Sequence, residues 1–420
     1  MKKNYIYILL ALSAVLSACR DHTSEIYNPN SFVTLNKFSD SDTYEDLFYG
    51  LWQGIDQSYI FWDIDTVDWE ARWEAVRPMV QQLDCQDSVS DQEIYTALQT
   101  MAHDMIDGHM QVEIWNQTNQ YYVGYCPQWD KVTARPDYHQ EVSYKRQMSL
   151  LASMHDAGLL RADKVQYSVL YDKTEFLSAV IDESIPYLRF SGFNIIPSLQ
   201  HYDDTTALHA FFQNVKTLHQ QGKLKALIID CRDNGGGIVD DVNYLFGYYL
   251  SEEKVFKRQR NKTGLGHYDF GAWQEFSVIP QTGASCYVGD LGDIPIVYLQ
   301  NMHSISMAEV SANFVSSLPN GVTIGERTWG GTGCLYTGWY DLTWTGPFNF
   351  MNGRPERQGY YCAYTCTFQV ELPAPDGTFR SLEGYGHTPD IECLLDADAL
   401  LNRGEDNQLL RALDYIYQRK

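Results

Sequence analysis

The chain has 420 residues, with 54 Asp and Glu against 31 Lys and Arg, for a formal net charge of −23. That length can bury a large core and divides most readily into two structural units. An acidic balance without basic patches excludes a nucleic-acid partner, because phosphate recognition needs clustered Lys and Arg.

The first residues read as a leader. Lys2 and Lys3 precede the apolar run Tyr5 to Leu16, which is too short to span a bilayer comfortably and ends at Leu16-Ser17-Ala18-Cys19. Small residues before a cysteine resemble a bacterial lipobox. Residues 1–18 are therefore expected to be a signal peptide, Cys19 the lipidated N-terminus, and residues 19–32 a tether holding the protein on the cell envelope membrane. An uncleaved anchor helix is the alternative. Later apolar runs do not approach membrane length. Eight further cysteines, at 85, 126, 231, 286, 334, 362, 366 and 393, are scattered; their spacing fits no metal pattern and fixes no pairing, so free buried thiols are expected.

Residues 33–110 form an expected helical subdomain. Tyr44, Leu47, Phe48, Leu51, Ile55 and Tyr59 recur at helical spacing, as do Trp69, Trp73 and Val76 before Pro78, read as a stop signal. A third helix starts at the capping box Ser90-Asp91-Gln92-Glu93 and is expected to end at Gly108, which leaves His109 in a turn. Residues 111–184 are mixed, with no carboxylate-binding loop of the PDZ type. From Ile185 to about residue 395, strands and helices alternate: strand 187–190, helix 208–218, strand 226–229, helix 239–250, a strand before Ser306, a helix after it, and strand 322–324. The alternation predicts an α/β core with parallel pairings, followed by C-terminal helices over residues 396–420.

Two segments point to chemistry. The run Ser304-Ile305-Ser306-Met307-Ala308-Glu309 follows an apolar strand, so Ser306 is delivered to the first turn of a helix. Unpaired N–H groups there can stabilise an oxyanion, although Ser306 and Glu309 also fit a simple capping box. The run Leu227-Ile228-Ile229-Asp230-Cys231-Arg232-Asp233-Asn234-Gly235-Gly236-Gly237 takes a buried strand into a triple glycine, where backbone can approach a ligand closely. No Lys and Ser/Thr follow as in a phosphate loop, which argues against nucleotide.

These blocks, with Gly325-Glu326-Arg327-Thr328-Trp329-Gly330-Gly331, Met105-Ile106-Asp107-Gly108-His109 and Glu383-Gly384-Tyr385-Gly386-His387-Thr388-Pro389-Asp390, occur in an order that resembles the tail-specific (C-terminal-processing) and tricorn-type serine peptidases. The resemblance covers roughly residues 45–395 and implies a ClpP/crotonase-like spiral of β-β-α units. In the C-terminal-processing branch a lysine occupies the second-last position of Gly-Glu-Pro-Thr-Phe-Gly-Lys-Gly; Gly331 stands there in this chain, which rules out a Ser/Lys dyad at this place. The tricorn-type pattern implies Ser306 as nucleophile, His109 as general base, Glu383 as distal carboxylate, and the N–H groups of Gly236 and Met307 as oxyanion hole, with no cofactor or metal. One departure is Gly108, where that pattern has serine.

The implied activity is hydrolysis of peptides or unfolded proteins through an acyl-enzyme. A non-catalytic peptide-binding module and a coenzyme-A-dependent acyl-transfer enzyme are the rivals. His303 and His387 read as polar turn residues, His103 with Asp107 and His109 as an imaginable metal cluster lacking zinc-type spacing, and Trp329 as either cleft or core.

Overall fold

Seven strands make one mixed sheet whose spatial order follows the chain: Ala162–Val169, Glu175–Ile181, Ile185–Phe190, Leu227–Asp230, Ile296–Gln300, Gly321–Gly325 and Ile391–Glu392. The first three pair antiparallel, and from Ile185–Phe190 onward every pairing is parallel. The structure is a computed structural model describing residues 43–203, 205–335 and 361–419, so the expected leader, Cys19 and the tether lie outside the described residues. The α/β class and the parallel core follow from the alternation in the sequence. The sheet also reaches back to residue 162, through strands whose pattern was too mixed to parse.

Strand residues alternate between two cores, which explains their continuous apolar runs. Leu188, Phe190, Leu227, Ile229, Ile296 and Tyr298 face helices Ala207–Gln220 and Met307–Ser316. Tyr187, Ile228, Val297 and Leu299 face helices Tyr144–Asp156 and Asn407–Gln418. A third core joins helices Tyr44–Ser58, Trp69–Leu83 and Asp91–Ala102 to a small antiparallel sheet of Gln111–Asn116, Tyr121–Tyr125 and Tyr361–Tyr364.

Two boundaries differ from expectation. Pro78 lies inside the helix Trp69–Leu83 and is exposed. A proline there forfeits one hydrogen bond, about 3 kcal/mol, but Val76, Val80 and Leu83 are buried on either side and hold the helix together. The third helix begins at the predicted capping box but ends at Ala102, with His103 as C-cap and Asp104 taking the left-handed conformation (φ +67). Gly108 does not terminate it; its role is steric and belongs to the site. Between residues 239 and 250 the helix is shorter than expected, Asp241–Phe246, and continues as one 3-10 turn.

Behind the triple glycine, a buried ion network anchors the strand end. Arg232 reaches both Asp230 (2.6 Å) and Asp406 (2.8 Å), and Arg189 reaches Asp233 (2.5 Å). Asp406 also caps the last helix through the Leu409 N–H, and its carboxyl is held down at about 2 despite burial, chiefly by Arg232. The motif's Asp and Arg are thus scaffolding. The Asp390 carboxylate accepts from the Thr323 N–H (2.8 Å) and the Ser316 hydroxyl (2.9 Å), pinning the sheet edge. The seven cysteines with described side chains are free thiols; Cys231 and Cys366 are buried, whereas Cys85 is exposed. No helix among the described residues is long and apolar enough to cross a membrane.

Candidate active site

Ser306 sits at the junction between the loop after strand Ile296–Gln300 and the helix Met307–Ser316. Its backbone is at φ +58, ψ −117, a left-handed conformation that costs a non-glycine residue about 1–3 kcal/mol and persists only where the surroundings enforce it. Sharp strand-turn-helix junctions of this kind carry exposed nucleophiles. The enforcing contacts are polar. Glu309, fully buried, accepts from the Ser306 N–H (3.0 Å), the Gly330 N–H (2.7 Å), the Gly331 N–H (2.7 Å) and the Thr328 hydroxyl (2.6 Å). Glu309 is therefore more than the capping partner read from the sequence. Burial pushes its carboxyl above the ordinary range against these donors.

The triple glycine meets Ser306 from the other side. The Ile305 N–H donates to the Asn234 carbonyl (2.9 Å), and the Asn234 side chain donates to the Phe190 carbonyl (2.6 Å). A β-carbon on Gly236 (φ +83) would stand 2.6 Å from the Ser306 β-carbon and 2.9 Å from the Met307 nitrogen, so only glycine allows this approach. The expected oxyanion donors separate here. Among the described residues the Met307 N–H has no acceptor, whereas the Gly236 N–H is engaged by the Asn234 carboxamide oxygen at 2.9 Å. Gly236 thus supplies proximity rather than a free donor, because an Asn two residues earlier closes a tight turn on it.

His109 lies in the turn after the third helix, half-buried, its N–H donating to the Asp107 carboxylate at 2.9 Å. Its loop packs directly on the Gly330-Gly331 backbone, and the Trp329 indole donates to the Gly108 carbonyl (2.9 Å). Trp329 is buried beside Val132 and Met302, a brace for the histidine turn. A β-carbon on Gly108 would come within 2.3 Å of the Gly330 oxygen and 2.4 Å of the Gly331 α-carbon. The serine of the tricorn-type pattern has no room at this position. A β-carbon on Gly331 would stand 3.3 Å from both the His109 ring and the Trp329 indole, a tight contact that asks those rings to give slightly.

Glu383 is buried and accepts from the Gly108 N–H (2.7 Å), the Thr332 N–H (2.9 Å) and the Gly333 N–H (2.6 Å). It holds the peptide just before His109, without a hydrogen bond to the imidazole. No hydrogen bond joins Ser306 to the His109 ring either. The ring's Nδ1 instead faces the Cys366 sulfur at 3.5 Å, and that sulfur lies 3.3 Å from Asp107. Ligand atoms of Asp107, His109, Cys366 and Glu383 all fall within 4.8 Å of one another, a set that could hold a metal ion. Burial drives every member towards neutrality: His109 down to about 4, Asp107 up to about 6, and Glu383 and Cys366 upward.

Sequence reasoning missed Cys366 and the full role of Asp107. The Asp-x-His spacing held the signal for Asp107, whose carboxylate reaches the N–H two residues on. Cys366 arrives from a distant strand end and had none. The rival histidines are structural: His303 Nε2 donates to the His139 carbonyl (2.7 Å), and His387 pairs with Gln300 (2.9 Å). His103 is outside the cluster, beside Asp104 at 3.4 Å. Gly108→Ala should destabilise the fold by about 1–3 kcal/mol through overpacking; unchanged stability in urea unfolding would contradict the close approach to Gly330.

Residues 184–338 match the family model described as Peptidase family S41. No curated protein matches the chain. Among solved structures, the chain is similar to the "putative peptidase" of Parabacteroides merdae ATCC 43184. That likeness has 19% identity, covers 90% of this chain and 97% of that one, and gives a TM-score of 0.58. It is also similar to mature CPAF, at 11% identity, 90% and 98% coverage, and a TM-score of 0.51. At such identities the likeness is one of fold.

Proposed function

We propose, with the match of residues 184–338 to the model described as Peptidase family S41 in support, a serine-type endopeptidase that acts on peptides or unfolded chains through an acyl-enzyme on Ser306. The observation that carries this reading is the strained Ser306 junction, clamped by Glu309 to the same Gly330-Gly331 backbone on which the His109 turn rests. His109 takes the Ser306 proton as the hydroxyl attacks the scissile carbonyl, then returns it to the leaving amine. Water, activated by the same imidazole, releases the acyl group. The Met307 N–H is the free donor for the developing oxyanion, a contribution typically of about 3 kcal/mol, with the Gly236 backbone packed beside it. Glu383 acts through the peptide before His109 rather than through a hydroxyl, Asp107 holds the His109 backbone N–H, and Cys366 faces the ring at Nδ1.

The lipobox-like start supports a further proposal, that the mature protein is tethered to the envelope membrane through Cys19. Mass spectrometry of the native protein should find residues 1–18 absent and an acylated Cys19; an intact leader overturns it.

Ser306→Ala should abolish hydrolysis of an unfolded protein substrate and labelling by a fluorophosphonate while leaving the circular dichroism unchanged. His109→Ala should slow acylation by roughly 10³-fold or more. Turnover by either variant near the parent rate contradicts these roles. The base works when neutral, and burial lowers His109 from 6.5 to about 4. Activity should therefore be full above that value and fall only as pH drops through about 4. An acid limb of kcat/KM near 6.5 would show that the base is a solvated imidazole.

A further inference from the structure

We propose that Asp107, His109, Cys366 and Glu383 form an inhibitory zinc(II) site that switches the peptidase off by capturing Nδ1 of its own general base. The proposal rests on His109 being that base.

Geometry comes first. The Cys366 sulfur is 3.3 Å from an Asp107 oxygen and 3.5 Å from His109 Nδ1, and all four ligand atoms lie within 4.8 Å. A tetrahedral zinc with bonds of about 2.0–2.3 Å separates its ligands by about 3.4–3.6 Å, so small side-chain movements close the set. One thiolate, one imidazole and two carboxylates suit borderline-soft zinc better than calcium or magnesium.

The outer shell is also in place. The Cys366 N–H donates to Asp107 (2.7 Å), and the Gly108, Thr332 and Gly333 N–H groups fix both oxygens of Glu383. Such donors orient ligating carboxylates in metal sites. None of the four side chains takes part in a salt bridge to Lys or Arg among the described residues. The Lys131 ammonium, whose field reaches Asp107 and Glu383, donates to the Asp104 and Met105 carbonyls instead. Two buried carboxyl groups without a cation make a pocket that a divalent ion would balance.

The consequence for catalysis follows from the tautomer. A neutral imidazole carries one proton, and a metal on Nδ1 needs that nitrogen's lone pair, so the proton moves to Nε2. Nε2 then has no lone pair to accept the Ser306 proton. Binding replaces water on the ion with the four ligands and releases the Cys366 thiol proton, with any proton held on the carboxylates, to solvent; no redox change occurs.

The test is a titration of the full chain with cobalt(II) and then zinc(II) in a chelator-buffered medium, recording the near-ultraviolet thiolate-to-cobalt absorption and peptide hydrolysis. One cobalt per chain should give the thiolate band, zinc should displace it, and hydrolysis should fall in parallel and return on chelation. In Cys366→Ser the band should vanish, and the zinc needed for half-inhibition should rise at least about tenfold. Saturating cobalt without a thiolate band, or equal zinc inhibition of parent and Cys366→Ser, overturns the site. If Cys366→Ser does not fold, the parent's band decides. If metal-free parent hydrolyses nothing, the peptidase reading fails, while the band still answers for the site.

Discussion

The buried carboxylate of Glu309 is the point on which the site depends. Moving such a group out of water costs several kcal/mol, and no Lys or Arg among the described residues pairs with it. Four donors do so instead, from Ser306, Thr328, Gly330 and Gly331, and charge-assisted bonds of about 1.5–3 kcal/mol each are of the size required. Its place in the first helical turn adds the favourable end of the helix dipole. Because the donors come from two segments, the exchange works only when the serine junction and the 328–331 loop are both in position. The strain at Ser306 is sustained by the same bonds, since relaxing φ would swing its N–H off the carboxylate.

Glu383 repeats the device one layer out. Its oxygens tie the Gly108 N–H to those of Thr332 and Gly333, so the histidine turn is fastened to the continuation of the loop that Glu309 holds. The result is a chain of backbone contacts from Ser306 through Glu309, Gly331 and Gly108 to His109. Gly108 is where backbone meets backbone too closely for a side chain, since a β-carbon there would stand 2.3 Å from the Gly330 oxygen, whereas a β-carbon on Gly331 would stand 3.3 Å from the His109 ring. With His109 lying against Gly331, a lysine there would meet the ring; with Gly108 lying against Gly330, a serine there would meet the chain.

What the sequence disclosed was local. The Ser90-Glu93 capping box and the alternation from Ile185 depend on neighbours within a few residues, and both reappear. Pro78 misled because burial of Val76 and Val80 outweighs one lost hydrogen bond. Gly108 misled because a glycine near a helix end suggests a terminator, whereas here the constraint comes from residues 330 and 331. Gly236 was rightly placed against Ser306, but its N–H answers to Asn234, a competition between turn geometry and oxyanion binding that spacing does not reveal. Cys366 was invisible because nothing near it in the chain marks it; only the strand beside Gln111–Asn116 carries it to His109.

The surroundings of His109 also bear on how a histidine works in an acid-rich chain. Solvated carboxylates beside an imidazole would raise its proton affinity and leave it charged, useless as a base near neutrality. Here Asp107 and Glu383 are buried, so their own charged forms are penalised, and each is pushed up while the imidazole is pushed down. Desolvation therefore keeps the imidazole neutral despite its acidic company. The same burial leaves a compact set of ligands, none of them paired with Lys or Arg among the described residues. A site that holds its histidine unprotonated keeps an imidazole lone pair open to a divalent ion, which then displaces the Cys366 thiol proton.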